Sequence, residues 1–155
     1  TRAPRPREGE GREYHFVDDP TFDRLIADGE LLEWARFSGH RYGTLRSEID
    51  RIAGDDCVCV LELELEGALK VQDEVPRSVT IFIAADVDAL ERRLRDRATE
   101  STGEIDERIA LARTQLERAH EFRYMVRNDD IERATAVLAA IVESELARAG
   151  SMARP

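Results

Sequence analysis

The chain reads as an α/β protein with a parallel sheet flanked by helices, and two apolar runs separated by helical periodicity predict it. Cys57–Leu65 (CVCVLELEL) is almost wholly apolar in its first half, and Val79–Ile83 (VTIFI) is a second such run. Strands covered on both faces read this way, because neither face meets water. A helical pattern follows each, over Glu66–Asp73 and from about Asp86 to Arg97. Strand–helix alternation implies right-handed crossovers between parallel strands. The 155 residues and 42% hydrophobic content suffice for one domain with a core.

The remaining elements follow from local signals. Tyr14–Val17 is a short strand. Asp19–Asp28 is a helix capped at Asp18 or Asp19, with Gly29 at its C′ position. Leu31–Phe37 (LLEWARF) and Arg41–Thr44 are strands around a Ser38-Gly39-His40 turn, with Trp34 in the core. Ser47–Ala53 is helical and ends at Gly54. Thr99–Gly103 breaks the pattern, and Asp106–Phe122 is a charged helix with a narrow apolar stripe at Ile109, Ala112, Leu116 and Ala119. Tyr124–Arg127 is a strand, and Ile131–Arg148 an amphipathic closing helix.

A net charge of −10 argues against a general nucleic-acid or membrane-surface binder, and no apolar run is long enough to span a bilayer. Cys57 and Cys59 read as buried thiols on opposite faces of a strand, which suits a reducing cytoplasm. Their spacing, without a second pair, completes no metal site, and His15, His40 and His120 have no partner spacing for a triad or a metal.

Chemistry concentrates near the start. Arg2 and Arg5 flank a proline in a chain whose only lysine is Lys70. A guanidinium fork matches a phosphate or carboxylate bidentately, and Pro4 and Pro6 restrict the intervening backbone. Tyr14 adds a hydroxyl donor. The pattern fits an oxyanion clamp, and by itself also fits an Arg/Pro-rich terminus.

Further motifs occur in order after T-R-x-P-R at 1–5: Tyr14-His15-Phe16, Glu30-Leu31-Leu32-Glu33-Trp34-Ala35, Tyr42-Gly43-Thr44, Glu64-Leu65-Glu66-Gly67-Ala68, Arg97-Ala98-Thr99-Glu100-Ser101 and Asn128-Asp129-Asp130. Together they resemble the guanylate kinase family, which moves a phosphoryl group from ATP to GMP, over nearly the whole chain to about residue 146. The resemblance implies a P-loop-kinase-like parallel sheet, a small mixed β GMP-binding insert and a helical lid. It places the GMP-binding subdomain at 1–46, the α/β core at 47–92 and 123–148, the lid at 93–122 and a frayed tail at 149–155.

It also implies roles. Arg2, Arg5, Tyr14 and Tyr42 hold the GMP phosphate, while Glu33, with Gly43, Thr44 and Glu64 nearby, takes the base. Guanine offers N1–H and an amine on one edge that a carboxylate accepts together, and adenine lacks that pair. Arg93, Arg97 and Asn128 face ATP, accompanied by Mg²⁺, and Arg5, Arg97 and Arg108 neutralise the transferring group. Without the resemblance, Glu33 reads as a solvated edge residue, Glu64 as an acidic strand end, and Asn128 as part of a helix cap.

Departures accompany the likeness. Glu64 and Glu66 stand where the family has Asp and Gln, and Arg7, Asp96 and Ala98 replace glycines of the clamp turn and the lid hinge. No G-x-x-x-x-G-K-[ST] loop occurs in these residues, and the family carries that loop and the first strand ahead of T-R-x-P-R. The expectation is therefore a kinase chain lacking its first strand and P-loop. These 155 residues alone are then expected to show no ATP-dependent phosphorylation of GMP. The alternative is a non-catalytic module that binds GMP or a phosphopeptide through the same arginines.

Overall fold

The computed structural model describes residues 1–54, 57–87, 91, 95 and 102–152. They divide into two compact units, Thr1–Pro76 and Arg77–Pro155.

The first unit opens with the clamp loop. Glu8 N–H donates to Arg5 C=O at 3.0 Å, closing a turn with Pro6 and Arg7 at its centre. Arg7 has φ 85°, so with proline fixing the preceding φ this is a type II turn whose glycine position holds an arginine. Tyr14 forms a single bridge to Glu10 rather than a strand over Tyr14–Val17, because no neighbour continues the pairing.

Helix α1 (Asp19–Ala27) starts at Asp18, whose carboxylate accepts from Thr21 N–H at 2.9 Å, and Gly29 follows it with φ 69°. Strands β1 (Leu31–Phe37) and β2 (His40–Leu45) form an antiparallel hairpin around Ser38 and Gly39, both with positive φ. Such a two-residue turn matches the natural twist of the strands. The register shifts between Leu31, paired with Leu45, and Glu33, paired with Thr44. Paired residues share a face, and Thr44 and Leu45 point oppositely, so the bulge at Leu32 puts Leu31 and Glu33 on opposite faces. Trp34, opposite Gly43, then lies on Leu31's face and meets Phe22 of α1 edge-on at 6.3 Å. It is 40% exposed and not a core residue, because α1 covers only part of its indole.

Arg41, unremarked in the sequence, is buried, its guanidinium held by the carboxylates of Asp19 and Asp23. The pair Asp19 and Asp23, one helical turn apart on α1, was the available signal. Helix α2 is Arg46–Gly54, and α3 (Leu65–Glu74) buries Gly67 and Val71. Between them the expected strand Cys57–Leu65 is absent. Residues 57–64 pair with no other strand among the described residues, so their backbone has no ladder, and Val58 and Val60 are 58% and 80% exposed. Cys57 is accordingly exposed and Cys59 half-buried, rather than both lying in a core.

In the second unit β3 (Ile81–Ala84) pairs in parallel with β4 (Tyr124–Arg127), in register from Ile81 opposite Tyr124 to Ala84 opposite Arg127. The expected helix from Asp86 to Arg97 falls mostly outside the described residues. Helix α4 (Thr102–Glu117) includes Gly103, expected in a break, and buries Ile105 and Ile109 against Val87. It stops short of Phe122, because a 3-10 turn at Ala119–Glu121 takes over and buries Ala119. Leu116 of the expected stripe is exposed. Helix α5 (Ile131–Met152) starts after Asp130, whose side chain accepts from Arg133 N–H at 2.8 Å, and continues helical through 149–152 rather than fraying there.

Candidate active site

Among the described residues of the first unit, Glu33 is the most buried charged group, at 3% exposure. Thr44, its partner across the hairpin, donates its hydroxyl to Glu33 Oε1 at 2.7 Å. The other oxygen, Oε2, lies against α3 at Gly67. Burial pushes the Glu33 carboxyl above the ordinary carboxylate range, against the opposing pull of Thr44 and of the positive Lys70. A buried, hydrogen-bonded carboxylate on a sheet face suits a ligand edge that brings its own N–H donors. Gly43 sits where any side chain would press on the Glu33 carbonyl at 3.0 Å.

The clamp is built differently. Arg2 is 10% exposed and donates Nη1–H to Glu8 Oε2 at 2.6 Å and Nη2–H to Glu8 Oε1 at 2.7 Å. Those hydrogen bonds, followed by one from Arg5 N–H, hold the Glu8 carboxyl down at about 2. The same contact raises Arg2, with Tyr42 adding to it. Arg2 Nε is buried and has no hydrogen-bond partner. Its guanidinium stands 5.3 Å from the Tyr14 ring centre, and Tyr14 meets Tyr42 edge-on at 6.2 Å. Arg5 is exposed, tied to Glu8 through its backbone alone. Arg2 and Arg5 therefore converge on a carboxylate of the chain itself, a partner the sequence reading omitted although Glu8 lies three residues beyond Arg5.

A groove of about 530 Å³ takes in Arg2, Tyr14, Tyr42, Gly43 and Thr44. Arg5, Glu33 and Glu64 do not line it; Glu33 stands behind Thr44. Glu64 is the residue preceding α3, half-buried, with no side-chain bond to the helix end. Gly67 stands in the Glu64–Ala68 motif, but the sequence assigns it no role of its own, although a glycine inside a helical stretch is a signal.

In the second unit Arg108 is exposed on α4, and Asn128 follows β4, its N–H donating to Ala84 C=O at 2.9 Å. A cleft of about 370 Å³ at the carboxyl ends of β3 and β4 is lined by Asp86, Leu116, Met125 and Arg127 among others. The crevice beyond the carboxyl ends of parallel strands is the usual ligand position in open α/β sheets. Arg93 and Arg97 lie outside the described residues. Among the described residues no three His, Cys, Asp or Glu side chains gather as a metal site, and no helix is long and apolar enough to cross a membrane.

Comparison with known proteins adds an independent line. A family profile described as guanylate kinase matches residues 1–145. The chain is 40% identical over 153 residues to guanylate kinase of Thermus thermophilus, covering 98% of this chain and 70% of that one. To guanylate kinase of Myxococcus xanthus it is 39% identical over 150 residues, covering 96% and 72%. The crystal structure of guanylate kinase from Anaplasma phagocytophilum superposes with a TM-score of 0.75 at 28% identity, covering 94% of this chain and 71% of that one.

Proposed function

The chain belongs to the guanylate kinase family of ATP:GMP phosphotransferases, and from that premise we propose that the first unit's groove and the hairpin face behind it form the GMP site. One observation carries the reading: a carboxylate at 3% exposure, Glu33, is hydrogen-bonded by Thr44 and forms no salt bridge among the described residues. Guanine N1–H and its amine supply the donors that Glu33 accepts, with Thr44 fixing the carboxylate and Gly43 and Glu64 bordering the base. Adenine would leave the buried carboxylate short of donors, and sites built to hydrogen-bond discriminate strongly for that reason.

The phosphate goes to the arginines. Glu8 occupies the Nη1/Nη2 end of Arg2 and Tyr42 bonds the same guanidinium, so Arg2 is an ordered cation beside the groove. Arg5, with its guanidinium exposed, is the second cation, and Tyr14 and Tyr42 supply hydroxyl donors.

Arg93, Arg97 and Asn128 are assigned to ATP, and Arg5, Arg97 and Arg108 to neutralising the transferred phosphoryl group. We assign 1–46 to GMP binding, 47–92 and 123–148 to the core and 93–122 to the lid. Mg²⁺ is assigned to arrive with ATP, held by its phosphates and water. A cytoplasmic place in purine nucleotide metabolism follows from the substrates. Calorimetric titration with GMP and AMP tests the site: clear preference for GMP is expected, and equal affinity would remove Glu33 and Thr44 from their roles.

A further inference from the structure

Gly67 has no backbone reason to be glycine. It lies in the first turn of α3, outside the positive-φ glycines Gly11, Gly29 and Gly39, and glycine is unfavourable in a helix relative to alanine. Its reason is space. A Cβ at this position would stand 2.4 Å from Glu33 Oε2, 3.2 Å from Cδ and 3.6 Å from Cγ. Two atoms cannot occupy the first of those separations, so one must move. The helix backbone is fixed by its own hydrogen bonds and by packing on β1, while the carboxylate is the far end of a side chain. The carboxylate is what gives way.

We propose that Gly67 is a specificity-determining position for the guanine base, its missing side chain being what seats the Glu33 carboxylate. The seat has two walls. Thr44 Oγ1 fixes Oε1 from across the hairpin, and the bare Cα of Gly67 sets how far Oε2 reaches towards α3. Any side chain at 67 turns the carboxylate about its bond to Cγ or along the chain. Either motion breaks the 2.7 Å bond from Thr44 and misaims the acceptors for the paired donors of guanine. The phosphate end is untouched, because Arg2, Arg5 and Glu8 are tied to one another and not to α3. Gly67 is thus a positioning residue acting through Glu33, and the inference rests on the reading that Glu33 takes the base.

The test titrates wild type, Gly67→Ala and Glu33→Gln with GMP, AMP and ribose 5-phosphate. Gly67→Ala is expected to weaken GMP at least tenfold and to leave AMP and ribose 5-phosphate within twofold. Unchanged GMP affinity in Gly67→Ala, with GMP preference lost in Glu33→Gln, overturns the role of Gly67 alone. GMP preference retained in Glu33→Gln overturns the reading beneath it. Equal weakening of all three ligands by Gly67→Ala marks a merely structural residue and overturns the proposal. Thermal melts give a ligand-free check that holds even for a poorly folding variant. In a Glu33→Ala background Gly67→Ala should raise the melting temperature, as helix propensity dictates, and in the wild-type background it should not. Equal shifts in the two backgrounds would show that the contact is not there.

Discussion

The first unit handles two carboxylates in opposite ways. Glu33 sits on a hairpin between a hydroxyl and a helix, and burial pushes its carboxyl up. Glu8 sits in an irregular loop, and the Arg2 guanidinium holds its carboxyl down at about 2. One is kept short of partners, and the other is saturated by them. In the proposed site, the base end would gain its selectivity from desolvation, which makes a missing donor costly. The phosphate end would gain its order from an internal ion pair that presets an arginine before any ligand arrives.

The sharpest way to break this contrast is Glu33→Gln. An amide offers a donor where guanine needs an acceptor, so the preference for GMP over AMP should fall by on the order of a hundredfold or more, measured by calorimetry. A preference that survives would make the buried carboxylate a structural group. Arg5→Ala comes next. Removing an exposed cation from a dianion should weaken GMP and AMP alike by roughly ten- to a hundredfold, with the base preference intact. Selective loss for GMP would blur the two ends into one.

Acidity separates the carboxylates by sign. The folded-state value of Glu33 lies above its unfolded value, so its contribution to stability is full at low pH and is lost as pH rises through the raised value. In the proposed site GMP takes the ionised form, so its affinity should climb over that same interval, at most about tenfold per unit. Glu8 is depressed, so its contribution is present above the unfolded value and is lost as pH falls towards about 2. Melting curves against pH for wild type, Glu33→Gln and Glu8→Gln should show the two slopes disappearing separately, and a common slope would refute the contrast. The smallest effect is Arg7→Gly. Relief of a left-handed non-glycine residue is worth roughly 1–2 kcal/mol, and the added chain entropy of glycine costs about 0.5–1. A net gain of about 1 kcal/mol in thermal denaturation is expected, with GMP affinity unchanged.

Local signals carried the sequence reading where it succeeded. The hairpin was visible in its Ser38-Gly39 turn and α1 in its Asp18 cap, because both are fixed by neighbours in the chain. The strand expected over Cys57–Leu65 failed because a strand exists through a partner, and apolar alternation names no partner. Trp34, expected in the core, is 40% exposed, since its cover depends on how far α1 extends over it. Glu33 entered the candidate site only through the resemblance. Alternation alone, starting from the buried Leu31, assigns it to Leu31's face, and the register shift reverses that. Glu8, and a role for Gly67 within its motif, are not legible in the sequence because they are defined by contacts to other residues rather than by any chemistry of their own.

The bulge at Leu32 bears on how the Glu33 carboxylate is aimed. Leu32→Ala or Leu32→Val leaves the number of residues between the Leu45 and Thr44 rungs unchanged, and Glu33 still points towards α3. Deleting that one residue keeps every chemical group of the site in the chain and brings Leu31 and Glu33 onto adjacent rungs. Adjacent rungs also face opposite ways, so Glu33 keeps its face with the bulge or without it, and its direction is set by the pairing with Thr44 rather than by the length of the segment.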